Sequence, residues 1–226
     1  MLDDRGNHVA PGSFVPAAER YGLMPQIDRW VVRTALAHLA ARGERARPEL
    51  CSINLSGTSV ADPHMLPFIH QQFDAHGVAP SRVCFEITET AAMTDLTSAV
   101  RFVERLQGIG CRIALDDFGS GMWSFTYLKH LGVDYVKIDG SFVAEMRNDA
   151  VATALVESIN TVGHAVGALT VAEFVEDQAT LDRLTAIGVD YAQGFELARP
   201  RPLAVGESYA VSLPATAMSD ELAARS

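Results

Sequence analysis

The chain has 226 residues, 48% of them hydrophobic, and its 18 basic against 28 acidic residues leave a net charge of −10. That composition suits a globular domain and excludes a disordered one, and no window approaches the roughly 18 uninterrupted apolar residues of a membrane span. So acidic a chain repels polyphosphate, which excludes a nucleic-acid polymer as partner and leaves a small phosphate ligand dependent on metal ions or local cations. The start MLDDRGNHVAPG has no basic segment followed by an apolar run, so it is not a secretory signal and a cytoplasmic location is expected. The cysteines Cys51, Cys84 and Cys111 are odd in number and widely spaced. They form neither a disulfide framework nor a zinc pattern, and buried thiols are expected.

In chain order, a helical pattern over 17–36 precedes a repeated unit of short apolar run, turn and amphipathic helix. The runs are LCSINLS (50–56), RVCFEITE (82–89), CRIALDDF (111–118), VDYVKID (133–139), ALTVAEFVE (168–176) and VDYAQGF (189–195). Helices are predicted between them over 63–76, 95–108, 124–131, 148–166 and 177–187, with stops at Gly77, Gly110, Gly132, Gly167 and Gly188. Strands alternating with helices imply a parallel α/β sheet built by crossovers. No internal linker is expected. Residues 203–226 are rich in Ala and Ser without clear period and read as a C-terminal segment.

Polar residues gather at the C-terminal ends of the runs: Asn54, Glu86 and Glu89, Asp116 and Asp117, Lys137 and Asp139, Glu173 and Glu176, and Gln193. A (β/α) barrel places its chemistry at that mouth, drawn from several strands at once. Period two groups Asn54 with Ser52, Glu86 with Cys84 and Thr88, Asp116 with Ala114, and Lys137 with Tyr135 and Asp139 on shared faces. Any single strand-end carboxylate is ordinarily a solvated loop residue or a helix cap. A whole rim of them repels itself unless divalent cations neutralise it. Oxygen donors without histidine or thiolate suit Mg²⁺, Mn²⁺ or Ca²⁺ rather than zinc. The seven histidines lie off the strand ends, and none of them pairs at ligand spacing on one helix face. The adjacent Asp116 and Asp117 could bridge two ions, as in phosphoester displacement, and a lysine on the same rim could hold a phosphate oxygen or water. Metal-assisted phosphoester hydrolysis is the favoured chemistry.

The ordered segments FVPAAERYG (14–22), NLS (54–56), EITE (86–89), DDFGSG (116–121), KID (137–139), AEFVE (172–176) and QGF (193–195) resemble the motifs of the EAL domain family. That family comprises cyclic di-GMP phosphodiesterases and inactive relatives. The resemblance implies a TIM-like (β/α) barrel of the EAL type over residues 1–203, followed by a 204–226 tail. Six of eight strands are read here. The family's Glu-Ala-Leu strand, which carries a further metal ligand, falls before the first matching segment, so the barrel is expected to be incomplete at its N-terminal side. The resemblance assigns Asn54, Glu86 and Asp116 to a first Mg²⁺ or Mn²⁺ and Asp116 with Asp117 to a second, with Asp139 supporting. Lys137 and Glu173 become the catalytic pair: Lys137 on the attacking water or phosphate, Glu173 as general base or second-metal residue. Glu176 and Gln193 complete the rim, and Glu89 anchors the loop at 118–128, which in the family couples the site to homodimerisation. The implied reaction is hydrolysis of cyclic di-GMP to pGpG, with a non-hydrolysing module that binds cyclic di-GMP or a protein as the alternative. Phe174 stands where the family has glycine, so a positive φ there would be strained. Met122, Trp123, Phe125 and Glu196 also depart from the usual residues.

Overall fold

A computed structural model describes residues 5–7, 9–42, 50–121 and 127–200. The expected tail at 203–226, the first part of the 124–131 helix, and Met122, Trp123 and Phe125 lie outside the described residues. Six strands hydrogen-bond in sequence order, β1 (Cys51–Leu55), β2 (Val83–Thr88), β3 (Arg112–Phe118), β4 (Tyr135–Ile138), β5 (Leu169–Ala172) and β6 (Tyr191–Ala192). The pairs β1 with β2, β4 with β5 and β5 with β6 are parallel, as the alternation with helices requires. This is the expected α/β architecture. The described residues fall into two compact units, one up to Ala114 and one from Leu115.

The first unit opens with α1 (Pro11–Arg20) and α2 (Met24–Arg42). A single helix over 17–36 was expected. The chain breaks it at Gly22, whose φ of 67° is left-handed, and Pro25 restarts it in a first turn, where a missing N–H costs nothing. Helix α2 packs on α4 (Met65–His76) and β1 through a buried stripe of Val32, Leu36 and Leu39. Strand β1 alternates, with Ile53 and Leu55 buried and Ser52 and Asn54 exposed together on the other face. Strand β2 is instead buried from Val83 to Ile87, as a strand covered on both sides must be. Helix α6 (Leu96–Gly108) follows it.

The second unit carries α7 (Leu128–Leu131), α9 (Ala150–Ala165) and α10 (Gln178–Ile187), with α9 packed on β4 and β5. A polar knot ties its elements together. Thr170 Oγ1 donates to Asn160 Oδ1 at 2.5 Å, and the Thr170 N–H donates to Asp190 Oδ2 at 2.7 Å. All five expected glycine stops have positive φ.

Three short helices of four to six residues were not expected: α3 (Gly57–Val60), α5 (Glu89–Thr94) and α8 (Gly140–Glu145). Each begins where a strand ends, capped by the side chain of Ser56, Thr88 or Asp139. The strands are correspondingly shorter than the apolar runs. Asp139, Glu173, Glu176 and Gln193 therefore stand just beyond strands rather than on them. Among the described residues no helix is long and apolar enough to cross a membrane.

Candidate functional site

In the first unit, the β1–β2 register sets Asn54 directly beside Glu86. Asn54 is exposed and Glu86 buried. Two residues past Asn54 the chain is clasped from α2. Asp28, only 4% exposed, accepts through Oδ2 from the Ser56 N–H at 2.9 Å and from the hydroxyls of Ser56 and Ser59, both at 2.6 Å. This clasp fixes the end of β1 and the start of α3. Sequence reading missed it because Asp28 lies inside a helical pattern, and its partners are 28 and 31 residues away. Glu89, expected to anchor the loop at 118–128, is buried as the first residue of α5. Much of that loop lies outside the described residues.

In the second unit the centre is Lys137, 5% exposed on β4. Its Nζ lies 2.7 Å from Asp116 Oδ1 and 2.8 Å from Glu173 Oε1, so one ammonium faces two buried carboxylates. Asp116 Oδ1 is buried without an aligned hydrogen-bond donor, so its contact with Lys137 is an ion pair. Neighbours on a regular strand point to opposite faces. Asp117 escapes that rule because its φ of 54° is left-handed, and it reaches the same cluster. Asp116, Asp117 and Glu173 can each offer an oxygen within 4.8 Å of the others. Three carboxylates, one oxygen of which lacks a hydrogen bond, fit a hard divalent cation. Burial pushes the Glu173 carboxyl above its ordinary value; Lys137 opposes this and the charges of Asp116 and Asp117 add to it.

The remaining predicted residues divide. Asp139 Oδ1 accepts from the Ser141 N–H at 2.8 Å and its hydroxyl at 2.5 Å, a helix cap. Glu176 and Gln193 line a cavity of about 270 Å³ with Glu173, Phe174, Gly194 and Phe195. Gly194 is needed there, since a Cβ would fall 2.1 Å from the Val175 carbonyl oxygen. Phe174 does take a positive φ, 54°, and its side chain is 63% exposed. The strain foreseen at this position is present. Of the cysteines, Cys84 and Cys111 are buried and Cys51 is partly so, and all three are reduced. Burial pushes the Cys111 thiol up to about 12.

The model of the EAL domain family matches residues 1–200. Among curated proteins, the chain is 45% identical over 199 residues to a cyclic di-GMP phosphodiesterase, PdeB, of Shewanella oneidensis, covering 88% of this chain and 23% of the relative. It is 34% identical to the cyclic di-GMP phosphodiesterase PdeF of Escherichia coli, covering 90% and 27%. The chain thus spans about a quarter of the length of these curated relatives. Among solved structures it resembles the PaMucR phosphodiesterase in complex with c-di-GMP, with a TM-score of 0.84 and 33% identity over 89% of this chain and 82% of that one. The FimX EAL domain of Pseudomonas aeruginosa bound to c-di-GMP gives a TM-score of 0.83 at 30% identity, covering 91% and 83%.

Proposed function

The chain belongs to the EAL domain family, and we propose that it hydrolyses cyclic di-GMP to pGpG in bacterial second-messenger signalling. The observation that carries this reading is Lys137, placed 2.7 Å from Asp116 and 2.8 Å from Glu173 with Asp117 in the same cluster. Two relatives named cyclic di-GMP phosphodiesterases, and two solved relatives holding c-di-GMP, support the ligand.

In this reading Glu173 accepts the proton of the attacking water, a role that suits a carboxylate whose basicity burial has raised. Lys137 holds the water or a phosphoryl oxygen in line. The water oxygen bonds to phosphorus, the bond from phosphorus to the 3′ oxygen breaks, that oxygen takes a proton from solvent, and Glu173 returns its proton to solvent. Asn54, Glu86, Asp116 and Asp117 would hold Mg²⁺ or Mn²⁺, with Asp139 supporting, and the ions would supply positive charge for the developing phosphorane charge. Glu176 and Gln193 hold the ligand at the rim, and Glu89 supports the loop after Asp117, through which the chain forms a homodimer.

The test is product analysis after incubating the chain with cyclic di-GMP. Slow conversion to pGpG is expected with Mg²⁺ or Mn²⁺ and none with Ca²⁺, whose looser geometry holds ligands without aligning them. Glu173→Gln is expected to abolish the conversion. Bound cyclic di-GMP recovered intact under every metal would replace this reading with the non-hydrolysing module.

A further inference from the structure

Asp117 reaches the carboxylate cluster by an unfavourable route. On a regular β3 its side chain would point away from that of Asp116. Its φ of 54° reverses that direction, in a region that residues with a Cβ seldom enter. Backbone strain of this kind persists only where the surroundings over-determine it. The turn that follows Asp117 supplies such a restraint.

Ser120 closes that turn. Its hydroxyl donates to the Asp117 carbonyl oxygen at 2.8 Å, and its N–H donates to the same oxygen at 3.3 Å. Gly119, with a φ of 97°, takes the third place of the turn, where a positive φ calls for glycine. It also lies close on two helices, since a Cβ there would fall 2.9 Å from Ile159 Cδ1 on α9 and 3.0 Å from Phe142 Cε2 on α8. Phe118 is 1% exposed, and its carbonyl oxygen accepts from the Asp139 N–H at 3.3 Å. Phe118 and Gly119 are therefore anchored by packing. Asp117 is exposed and lacks that anchor. A serine hydroxyl on a turn carbonyl is ordinary in itself. Here the carbonyl belongs to the residue whose left-handed backbone completes the cluster. Fixing it fixes one of the two peptide planes that decide where the Asp117 carboxylate points.

We propose that Ser120 is a positioning residue for the Asp117 carboxylate, its hydroxyl holding the left-handed backbone that keeps Asp117 beside Asp116 and Glu173. The proposal rests on the functional reading above, in which Asp117 helps to hold Mg²⁺ or Mn²⁺. Without the hydroxyl, the Asp117 backbone relaxes toward the strand region and its carboxylate leaves the cluster. Asp116, Lys137 and Glu173 stay in place, since all three are buried. The cost falls on cation affinity and not on the fold, because Ser120 is itself exposed.

Calorimetric titration of the full chain with Mn²⁺, in the absence of any nucleotide, tests this. Ser120→Ala is expected to weaken Mn²⁺ binding about tenfold or more, the scale of losing a group that orients a metal ligand. Its urea midpoint is expected to match that of the wild-type chain. Ser120→Thr keeps the hydroxyl and is expected to bind within about twofold of the wild-type chain. On an Asp117→Asn background Ser120→Ala is expected to cost nothing further, because the carboxylate it positions is gone. Wild-type Mn²⁺ affinity in Ser120→Ala would overturn the proposal and leave the functional reading standing. So would a loss that comes with a lowered urea midpoint, that Ser120→Thr fails to restore, or that recurs in full on Asp117→Asn. No Mn²⁺ binding by the wild-type chain would overturn both the proposal and the metal-dependent reading beneath it.

Discussion

Asp28 in the first unit and Asp116 in the second are both buried carboxylates, and the chain accommodates them in different ways. Asp28 sits among neutral donors: an amide and two hydroxyls converge on its Oδ2 within 2.9 Å. Those donors belong to Ser56 and Ser59, and the arrangement locks α2 to the end of β1. Asp116 instead faces a single ammonium, that of Lys137, shared with Glu173 and lacking the alignment of a hydrogen bond at Asp116 Oδ1. Neutral donors fixed by a backbone define a geometry. An ammonium shared between two acids holds charge that can be redistributed when a ligand or cation enters. A buried acid with several short-range neutral donors is thus read as architecture, and one balanced only by a shared cation as chemistry.

The largest expected effect comes from removing that cation. Lys137→Ala should lower kcat about a hundredfold or more, the scale of losing a charged group that acts on the transition state. KM should change far less. The folded state should also lose about 3–5 kcal/mol, because Asp116 and Glu173 would be left buried without their common partner. Steady-state kinetics and urea unfolding read the two effects. A raised KM at unchanged kcat would place Lys137 in ligand binding alone and blur the contrast with Asp28.

The clasp should behave in the opposite manner. Asp28→Ala removes the acceptor from one amide and two hydroxyls, a loss on the order of 3 kcal/mol of stability. Asp28→Asn, which keeps an acceptor oxygen, should lose markedly less. Turnover per folded molecule should fall no more than a few-fold in Asp28→Asn, since the clasp shapes β1 and touches no reacting group. A loss of turnover in Asp28→Asn as large as that in Lys137→Ala would erase the distinction between the two carboxylates.

The sequence makes one side of this contrast far easier to read than the other. Asp116, Lys137 and Glu173 terminate apolar runs, and a strand-end polar residue is visible without knowing what it touches. Period two also grouped Ser52 with Asn54 correctly, because β1 is exposed on one face. Period two alone sets Asp117 on the face opposite Asp116; their adjacency and the motif suggest the pair, and a left-handed φ at a non-glycine residue is what brings Asp117 into the cluster. A pattern of four to six residues does not carry enough helical period to reveal α3, α5 or α8. Their caps, Ser56, Thr88 and Asp139, read instead as strand-end polar residues. Asp28 was illegible for a further reason. What it does is decided by a residue nearly thirty positions away, Ser56.

The smallest expected effect measures how strongly burial and Lys137 compete at Glu173. In the chain stripped of divalent ions with a chelator, the Glu173 carboxyl lies above its ordinary value of 4.5, with burial the leading cause and the Lys137 ammonium opposing it. A carboxyl whose folded value is raised keeps its proton longer in the folded than in the unfolded state. Below about pH 4.5 both states are protonated and the group imposes no penalty. As pH climbs, the unfolded chain releases its proton first, and stability falls until the folded group ionises too. Glu173→Gln mimics the protonated form at every pH. Its thermal midpoint minus that of the wild-type chain should therefore increase as pH rises through the ordinary glutamate range, then level off. The expected change is modest, because the Lys137 pair offsets part of the burial. A difference that shrinks with rising pH would mean that the ammonium wins over burial. Glu173 would then be held as firmly ionised as a simple structural ion pair, and its assignment as the group that takes a proton would fail with it.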